Sequence, residues 1–130
     1  MKVAIHQPNF IPWTGFFHKI CMVDAFVLFD DVQLSRGKSY TTRSELLIGG
    51  SPQWLTIPVL GKSDYTLIKD IRINTSEHWK KKHLKTIELN YKKAPYFDEV
   101  FLILSNINKT ESDFLMDYNI PLIYEFSKYN

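Results

Sequence analysis

Residues capable of acid–base chemistry are concentrated near the start of the chain. His6 and His18 carry imidazole rings, which can act as a general acid or a general base. Asp30 and Asp31 follow an apolar run, and paired carboxylates can hold a hard cation, accept from ribose hydroxyls or act as a general base. A hydrogen bond to the backbone is the structural alternative for the histidines, and capping of a loop is the alternative for the acids. Because alternate side chains of a strand point to opposite faces, we expect only one of the two acids to face the pocket, and we favour Asp30.

Basic and aromatic residues near these groups could hold an anionic or a planar ligand. Arg36, Lys38 and Arg43 lie on a glycine-containing segment that suits phosphate or carboxylate groups, with solvated loop charge as the alternative. Trp13 and Trp54 could stack on a base or a sugar ring, although large aromatic side chains also fill cores.

Thiol and metal chemistry find little support in the sequence. Cys21 is the single cysteine, so no internal disulfide can form, and this usage fits the reducing cytoplasm that we predict as the location. His78 and His83 are five positions apart, which does not place both on one helical face for zinc. We therefore predict no metal site.

The elements that position the N-terminal residues form a strand, loop, helix and strand. Lys2 to Ile5 is short and apolar, Gly15 to Met22 has helical spacing after a capping threonine, and Ala25 to Phe29 is prone to β structure. A right-handed crossover of this kind brings both strand ends to the same edge of a parallel sheet, where ligands of open α/β sheets bind. We therefore expect His6 and Asp30 to lie near each other.

The rest of the chain predicts more strands and helices. The expected strands are 45–48, 54–59 after the Gly49-Gly50 turn, 67–73 and 121–126, and the expected helices are 74–91 after a capping box, 100–107 and 112–118. We predict an α/β fold with a single domain over residues 1–130, a mainly parallel sheet flanked by helices, opening with a βαβ unit.

Composition excludes several classes of protein. The 16 basic and 14 acidic residues are nearly balanced, so no nucleic-acid partner is predicted. The longest apolar runs, such as 25–29 and 100–104, are far shorter than the roughly 20 residues of a membrane span, and none is predicted. The N-terminus becomes polar at His6-Gln7, which does not fit a signal peptide.

Several clusters in a fixed order resemble the WbqC-like family. They are 6–13 (HQPNFIPW), 15–20 (GFFHKI), 24–27 (DAFV), 30–33 (DDVQ), Arg43, 54–59 (WLTIPV) and 91–97 (YKKAPYF), and the resemblance covers roughly residues 1–100. The family is bacterial, and its members are often encoded in clusters for O-antigen or other surface polysaccharides. Its members are usually longer, so this chain is expected to lack their C-terminal portion. The positions of this sequence that match the characteristic positions of the family are His6, Gln7, Pro8, Trp13, Gly15, His18, Lys19, Asp24, Asp30, Gln33 and Arg43.

The resemblance implies a role in surface-polysaccharide biosynthesis, for which we hypothesise a transferase acting on an activated sugar or acyl donor. The predicted catalytic residues are His6, His18 and Asp30, and the predicted substrate-binding residues are Gln7, Trp13, Lys19, Gln33 and Arg43. A fainter resemblance to nucleotidyltransferases gives the alternative of a nucleotide-binding module. A non-catalytic accessory or truncated protein is the third possibility. The sequence assigns no cofactor and no oligomeric state.

Overall fold

The structure, a computed structural model, describes residues 1–34, 39–61, 66–76 and 78–129. Its strands and helices are β1 (Val3–His6), α1 (Thr14–Cys21), β2 (Ala25–Leu28), β3 (Arg43–Ile48), β4 (Ser51–Thr56), a 3-10 helix (Ile68–Asp70), α2 (Trp79–Tyr91), α3 (Phe97–Asn108) and α4 (Met116–Ser127).

The first three elements form a parallel β-α-β unit. β1 and β2 pair in parallel, with His6 opposite Leu28. The Phe29 amide donates to the His6 carbonyl at 2.8 Å, so the pairing continues one residue beyond β2. Phe16 of α1 is buried against one face of the pair, with its ring 5.2 Å from that of Phe26. The crossover therefore places the residues after β1 and β2 at one edge of this small sheet.

The next two strands form a tight antiparallel hairpin. β3 pairs with β4, with Arg43 opposite Thr56 and Ile48 opposite Ser51. The turn consists of Gly49 and Gly50, whose φ angles of 60° and 83° are both positive. Two consecutive positive φ angles define the turn that joins twisted hairpin strands, and only glycine adopts them without strain.

The hydrophobic core lies where the hairpin, the 3-10 helix and the three C-terminal helices meet. Its most buried members are Leu55, Ile57, Ile68, Ile71, Ile73, Trp79, Leu115, Met116, Tyr118 and Leu122. Helix α2 contributes one face, on which Trp79, His83 and Ile87 are all buried. Burial lowers the pKa of His83 to about 4, although a bond between its Nε2 and the Thr56 carbonyl at 2.8 Å opposes this shift. The imidazole is therefore a neutral member of the core at pH 7.

The predicted mainly parallel sheet is wrong, because the described strands form two separate two-stranded sheets, one parallel and one antiparallel. The two-residue Gly49-Gly50 turn returns the chain at once, which forces its flanking strands to be antiparallel. The predicted strand at 67–73 is instead a 3-10 helix with isolated bridges on either side.

The strand predicted at 121–126 is also wrong, since these residues belong to α4 with Pro121 inside the helix. The buried residues of this helix, among them Tyr118, Asn119, Leu122 and Ile123, recur at helical spacing. Burial of that face outweighs the loss of one backbone hydrogen bond at the proline. Among the described residues, no helix combines the length and the apolar character needed to cross a bilayer.

Candidate functional site

A cleft of about 450 Å³ opens at the edge of the parallel pair where β1 ends. We call it the N-terminal cleft, and its lining residues are Ile5, His6, Gln7, Asn9, Trp13, Phe29, Ser39, Tyr40 and Thr41. Its volume falls within the range of small-molecule sites, and its mixture of aromatic, amide, hydroxyl and imidazole groups is typical of such sites. Of the predicted site residues, the cleft brings together His6, Gln7 and Trp13.

His6 has a defined orientation in this cleft. Its Nδ1 lies 2.7 Å from the Gln7 carbonyl oxygen, which can only accept, so Nδ1 carries the hydrogen. The ring also packs edge-on against Phe16, with the centroids 4.8 Å apart. In the neutral imidazole this tautomer leaves Nε2 unprotonated. His6 is therefore arranged to take up a proton through Nε2, as a general base does.

Two exposed aromatic side chains border the cleft. Trp13 is 67% exposed, which is unusual for an indole, and Tyr40 is 53% exposed. The Trp13 ring lies directly over Gly15. A Cβ atom at position 15 would be only 1.8 Å from the indole. A glycine at this helix position thus provides the space in which the indole lies beside the cleft.

Arg43 lies behind the aromatic border and does not line the cleft. Its guanidinium carbon is 4.2 Å from the centroid of the Trp54 ring, a cation–π contact. The Trp54 ring in turn lies 5.8 Å from that of Tyr40. Arg43 therefore supports the cleft wall through Trp54, and the described residues offer it no carboxylate partner.

The loop from residue 7 to residue 12 is fastened to the segment that follows position 38. The Phe10 amide donates to the Tyr40 carbonyl at 2.9 Å, and the Ser44 hydroxyl donates to the Ile11 carbonyl at 2.9 Å. Ile11 has a φ of 41°, a conformation that is rare for a β-branched residue. Backbone strain of this kind persists where the surroundings over-determine it, and the two bonds supply that constraint.

Asn119 joins the same two segments from the opposite end of the chain. Its side-chain Nδ2 donates to the carbonyls of Pro8 at 3.2 Å and of Thr41 at 2.8 Å. The residue is completely buried in α4, and nothing among the described residues donates to its Oδ1. Both neighbours are acceptors, which fixes the amide orientation. Asn119 therefore holds both walls of the cleft in place without lining it.

The structure places the other predicted site residues away from the cleft lining. Asp30 is half-buried beyond the end of β2, and its carbonyl accepts from the Lys69 amide at 2.8 Å. His18 and Lys19 are exposed in the last turn of α1, and Gln33 is exposed and bridges to residue 67. Their assigned roles stay predictions. Positions 36 and 38, whose basic side chains were candidates for anion binding, lie outside the described residues.

Four residues important to the cleft were not singled out by the sequence: Asn9, Tyr40, Thr41 and Asn119. Asn9 lies within the same motif as His6 and Gln7, so its place in that motif was an available signal. Tyr40 and Thr41 lie just before Arg43 in the sequence, and they approach the loop of residues 7–12 only through tertiary contacts. Nothing local identifies Asn119, which acts across more than half of the chain.

A larger cavity of about 630 Å³ lies at the start of α2. It is lined by side chains of both charges, including His78, Lys81, Glu111 and Asp113. Lys80 of this lining is already engaged, because it donates to the Thr110 carbonyl at 2.7 Å and lies over the Tyr118 ring. In the part of the chain that the structure describes, no group of three or more His, Cys, Asp or Glu side chains could hold a metal ion. The N-terminal cleft is therefore the better candidate site.

The chain is similar to known proteins over most of its length. The model of the "WbqC-like protein family" matches residues 7–129, so the match extends well past the roughly 100 residues that the motifs covered and includes α4. The uncharacterized protein Rv1507c of Mycobacterium tuberculosis is 36% identical over 100 residues, which are 76% of this chain and 42% of that protein. The chain thus spans less than half the length of this relative. No solved structure shows a significant match.

Proposed function

The chain belongs to the WbqC-like protein family, and from this premise we propose that it is a transferase acting on an activated sugar or acyl donor in bacterial surface-polysaccharide biosynthesis. The pathway rests on the family resemblance, and the reaction class rests on the N-terminal cleft. The observation that carries the reaction class is a histidine of fixed tautomer beside two exposed aromatic rings.

The roles of the cleft residues follow from their chemistry. Nε2 of His6 takes the proton from an acceptor hydroxyl as its oxygen bonds to the transferred sugar carbon or acyl carbon. The bond to the leaving group breaks, and the nucleotide or thiolate departs with the electron pair. The rings of Trp13 and Tyr40 are suited to pack on the apolar face of a sugar, while Gln7 and Asn9 offer amide hydrogen bonds.

The test combines a binding measurement with a turnover measurement. Calorimetric titration with a nucleotide sugar and with an acyl-coenzyme A identifies the donor class. His6→Asn keeps an amide N–H that can reach the Gln7 carbonyl and removes the base. We expect it to bind the donor with nearly unchanged affinity and to lose about 10²-fold or more in turnover.

His78→Asn is the matched control, because His78 is an exposed histidine far from the cleft. It should leave both binding and turnover unchanged. The absence of binding by every donor of both classes, or full turnover by His6→Asn, would contradict the proposed function.

A nucleotide-binding module is the second candidate, favoured by the start of α1 at the cleft. None of the side chains that the structure describes caps this helix, and its first turn contains no acidic residue. Its uncapped N–H groups and helix dipole are suited to a phosphate beside Trp13. Tight binding of a nucleoside triphosphate, with no preference for a nucleotide sugar, would select this candidate. Donor binding without turnover would instead indicate an accessory protein.

A further inference from the structure

A groove of about 270 Å³ lies between the hairpin and the three C-terminal helices. Ile87 of α2 and Leu104 of α3 are buried at its base, whereas Tyr96 and Val100 at its mouth are 76% and 39% exposed. Leu46 of β3 also lines it. We call this cavity the apolar groove. It is a concave, preformed space, as small-molecule sites are.

The lining of the apolar groove offers a ligand almost no hydrogen bonds. Its side chains are all aliphatic or aromatic, and their only polar atoms are the hydroxyls of Tyr91 and Tyr96. The Tyr91 hydroxyl already accepts from the Leu47 amide at 2.9 Å. A sugar in this groove would give up hydrogen bonds with water without replacing them. The lining therefore favours an apolar occupant.

Two strained backbone positions border the apolar groove. Among the residues that the structure describes, Ile11 and Tyr96 are the two non-glycine residues with a positive φ, at 41° and 63°, and both line this groove. Backbone strain of this kind clusters at active sites and ligand-binding sites. Its presence on two sides of one cavity indicates a binding site rather than a gap in the packing.

The apolar groove continues towards the N-terminal cleft. Between the two lies a cavity of about 390 Å³, which shares residues such as Asn9 and Trp13 with the cleft and shares Ile11 with the groove. Ser44 of this middle cavity and Leu46 of the groove alternate along β3, so they point to the same face of the strand. One ligand can therefore place a polar end in the cleft and an apolar end in the groove.

We propose that the apolar groove holds the alkyl chain of an acyl donor whose thioester lies in the N-terminal cleft. The inference rests on the proposed transferase function and narrows the donor to a medium-chain acyl thioester. The groove has about nine times the roughly 30 Å³ that a water molecule occupies, and a methylene group is of similar size. It therefore accommodates a chain of about eight to ten carbons.

The reaction is then an acyl transfer. Nε2 of His6 takes the proton of the acceptor hydroxyl while the hydroxyl oxygen bonds to the thioester carbonyl carbon. The carbon–sulfur bond breaks, the thiolate leaves with the electron pair, and the proton on His6 passes to it. The products are an ester of the acceptor and a free thiol, and the histidine is neutral again.

The test is calorimetric titration of the 130-residue chain with acetyl-, butyryl-, octanoyl- and palmitoyl-coenzyme A. A fully buried methylene raises affinity about fourfold, and in this open groove we expect at least about twofold per methylene from acetyl to octanoyl. The gain should level off between octanoyl and palmitoyl, because the longer chain extends beyond the groove. Equal affinities for the acetyl and octanoyl donors would overturn the inference.

A variant that fills the groove locates the chain. Val100→Trp places an indole at the mouth of the groove, and Leu102→Trp is the matched control, because Leu102 is 60% exposed on the same helix and does not line the groove. Val100→Trp should lower the affinity for octanoyl-coenzyme A at least about tenfold and remove the increase with chain length. Leu102→Trp should keep both. An increase with chain length that persists in Val100→Trp would show that the chain lies elsewhere and would overturn the inference.

Methyl resonances of the unmodified protein answer the same question without a variant that must fold. Octanoyl-coenzyme A should shift the methyl signals of Leu46, Ile87 and Leu104, and acetyl-coenzyme A should not. Constant signals with the octanoyl donor would overturn the inference.

The same titrations separate this inference from the proposed function. Binding of a nucleotide sugar, with no binding of any acyl-coenzyme A, would overturn the acyl chain in the groove and leave the transferase intact. Absence of binding by donors of both classes would remove the proposed function and this inference together.

Discussion

The buried amide of Asn119 offers a sharp test of how the cleft is held together. Its Nδ2 bonds to the carbonyls of Pro8 and Thr41, and both of these residues are also buried. In Asn119→Leu the number and branching of the side-chain heavy atoms are kept, the two methyl groups are bulkier than the amide, and both carbonyls lose their donor. Each buried carbonyl left unsatisfied costs about 1–3 kcal/mol, and removal of the unpartnered Oδ1 offsets part of this cost. We expect a net loss of about 2–4 kcal/mol in the free energy of unfolding.

The assay is equilibrium unfolding in urea, followed by tryptophan fluorescence. Asn106→Leu is the matched control, since Asn106 is an exposed asparagine on α3, and its effect should stay within about 0.5 kcal/mol. A second readout separates loop anchoring from general destabilisation. Amide chemical shifts in the folded Asn119→Leu protein should change at Asn9 and Thr41 and stay constant along α2.

Asn119→Asp tests the direction of the hydrogen bonds. A carboxylate would present acceptors to two carbonyl oxygens, so this variant should lose more stability than Asn119→Leu at pH 7. Burial raises the pKa of the introduced carboxyl, so the folded protein binds more protons than the unfolded chain. Part of the loss should therefore be recovered as the pH falls. Stability of Asn119→Leu within about 0.5 kcal/mol of the unmodified protein would refute the reasoning.

Two further predictions concern titration and packing. The pKa of His83 is lowered from 6.5 to about 4, so the unfolded chain binds more protons between these values. The stabilisation that comes from neutral His83 is complete above pH 6.5, and the free energy of unfolding falls by about 3 kcal/mol as the pH drops to 4. In urea unfolding measured across this pH range, His83→Gln should remove the dependence, and the control His78→Gln should keep it. In Gly15→Ala the new methyl group displaces the Trp13 indole. The near-ultraviolet circular dichroism should change, and the affinity for the donor should fall about tenfold. The free energy of unfolding should rise by up to about 1 kcal/mol, because alanine favours a helix more than glycine does. A loss of stability with unchanged dichroism would contradict the contact between Trp13 and Gly15.

Several elements of the fold could be predicted from local patterns because they are specified locally. Local patterns are enough to identify the apolar strand before His6, the Gly49-Gly50 hairpin turn and the buried face of α2, which has helical spacing. Two elements of the second half were not predictable in this way. The run 67–73 has the composition of a strand but forms a 3-10 helix, and in α4 burial of a helical face outweighs the proline.

The candidate site was predictable only where its residues are neighbours in sequence. His6, Gln7 and Trp13 lie in one motif and line one cleft. The opposite wall, including Thr41, is brought there by long-range hydrogen bonds that leave no periodic signal. Local reasoning could place His6 and Asp30 at one sheet edge, but it could not show which side chains face the same space.

The central claim is that the N-terminal cleft binds a small activated donor. The most direct test is a nuclear magnetic resonance titration of the isotopically labelled chain with a nucleotide sugar and with an acyl-coenzyme A. We predict saturable shift changes for the Gln7 side-chain amide, the Trp13 indole N–H and the Thr41 amide. Shifts confined to the cavity around His78 and Glu111, or no shifts with either donor, would contradict the account.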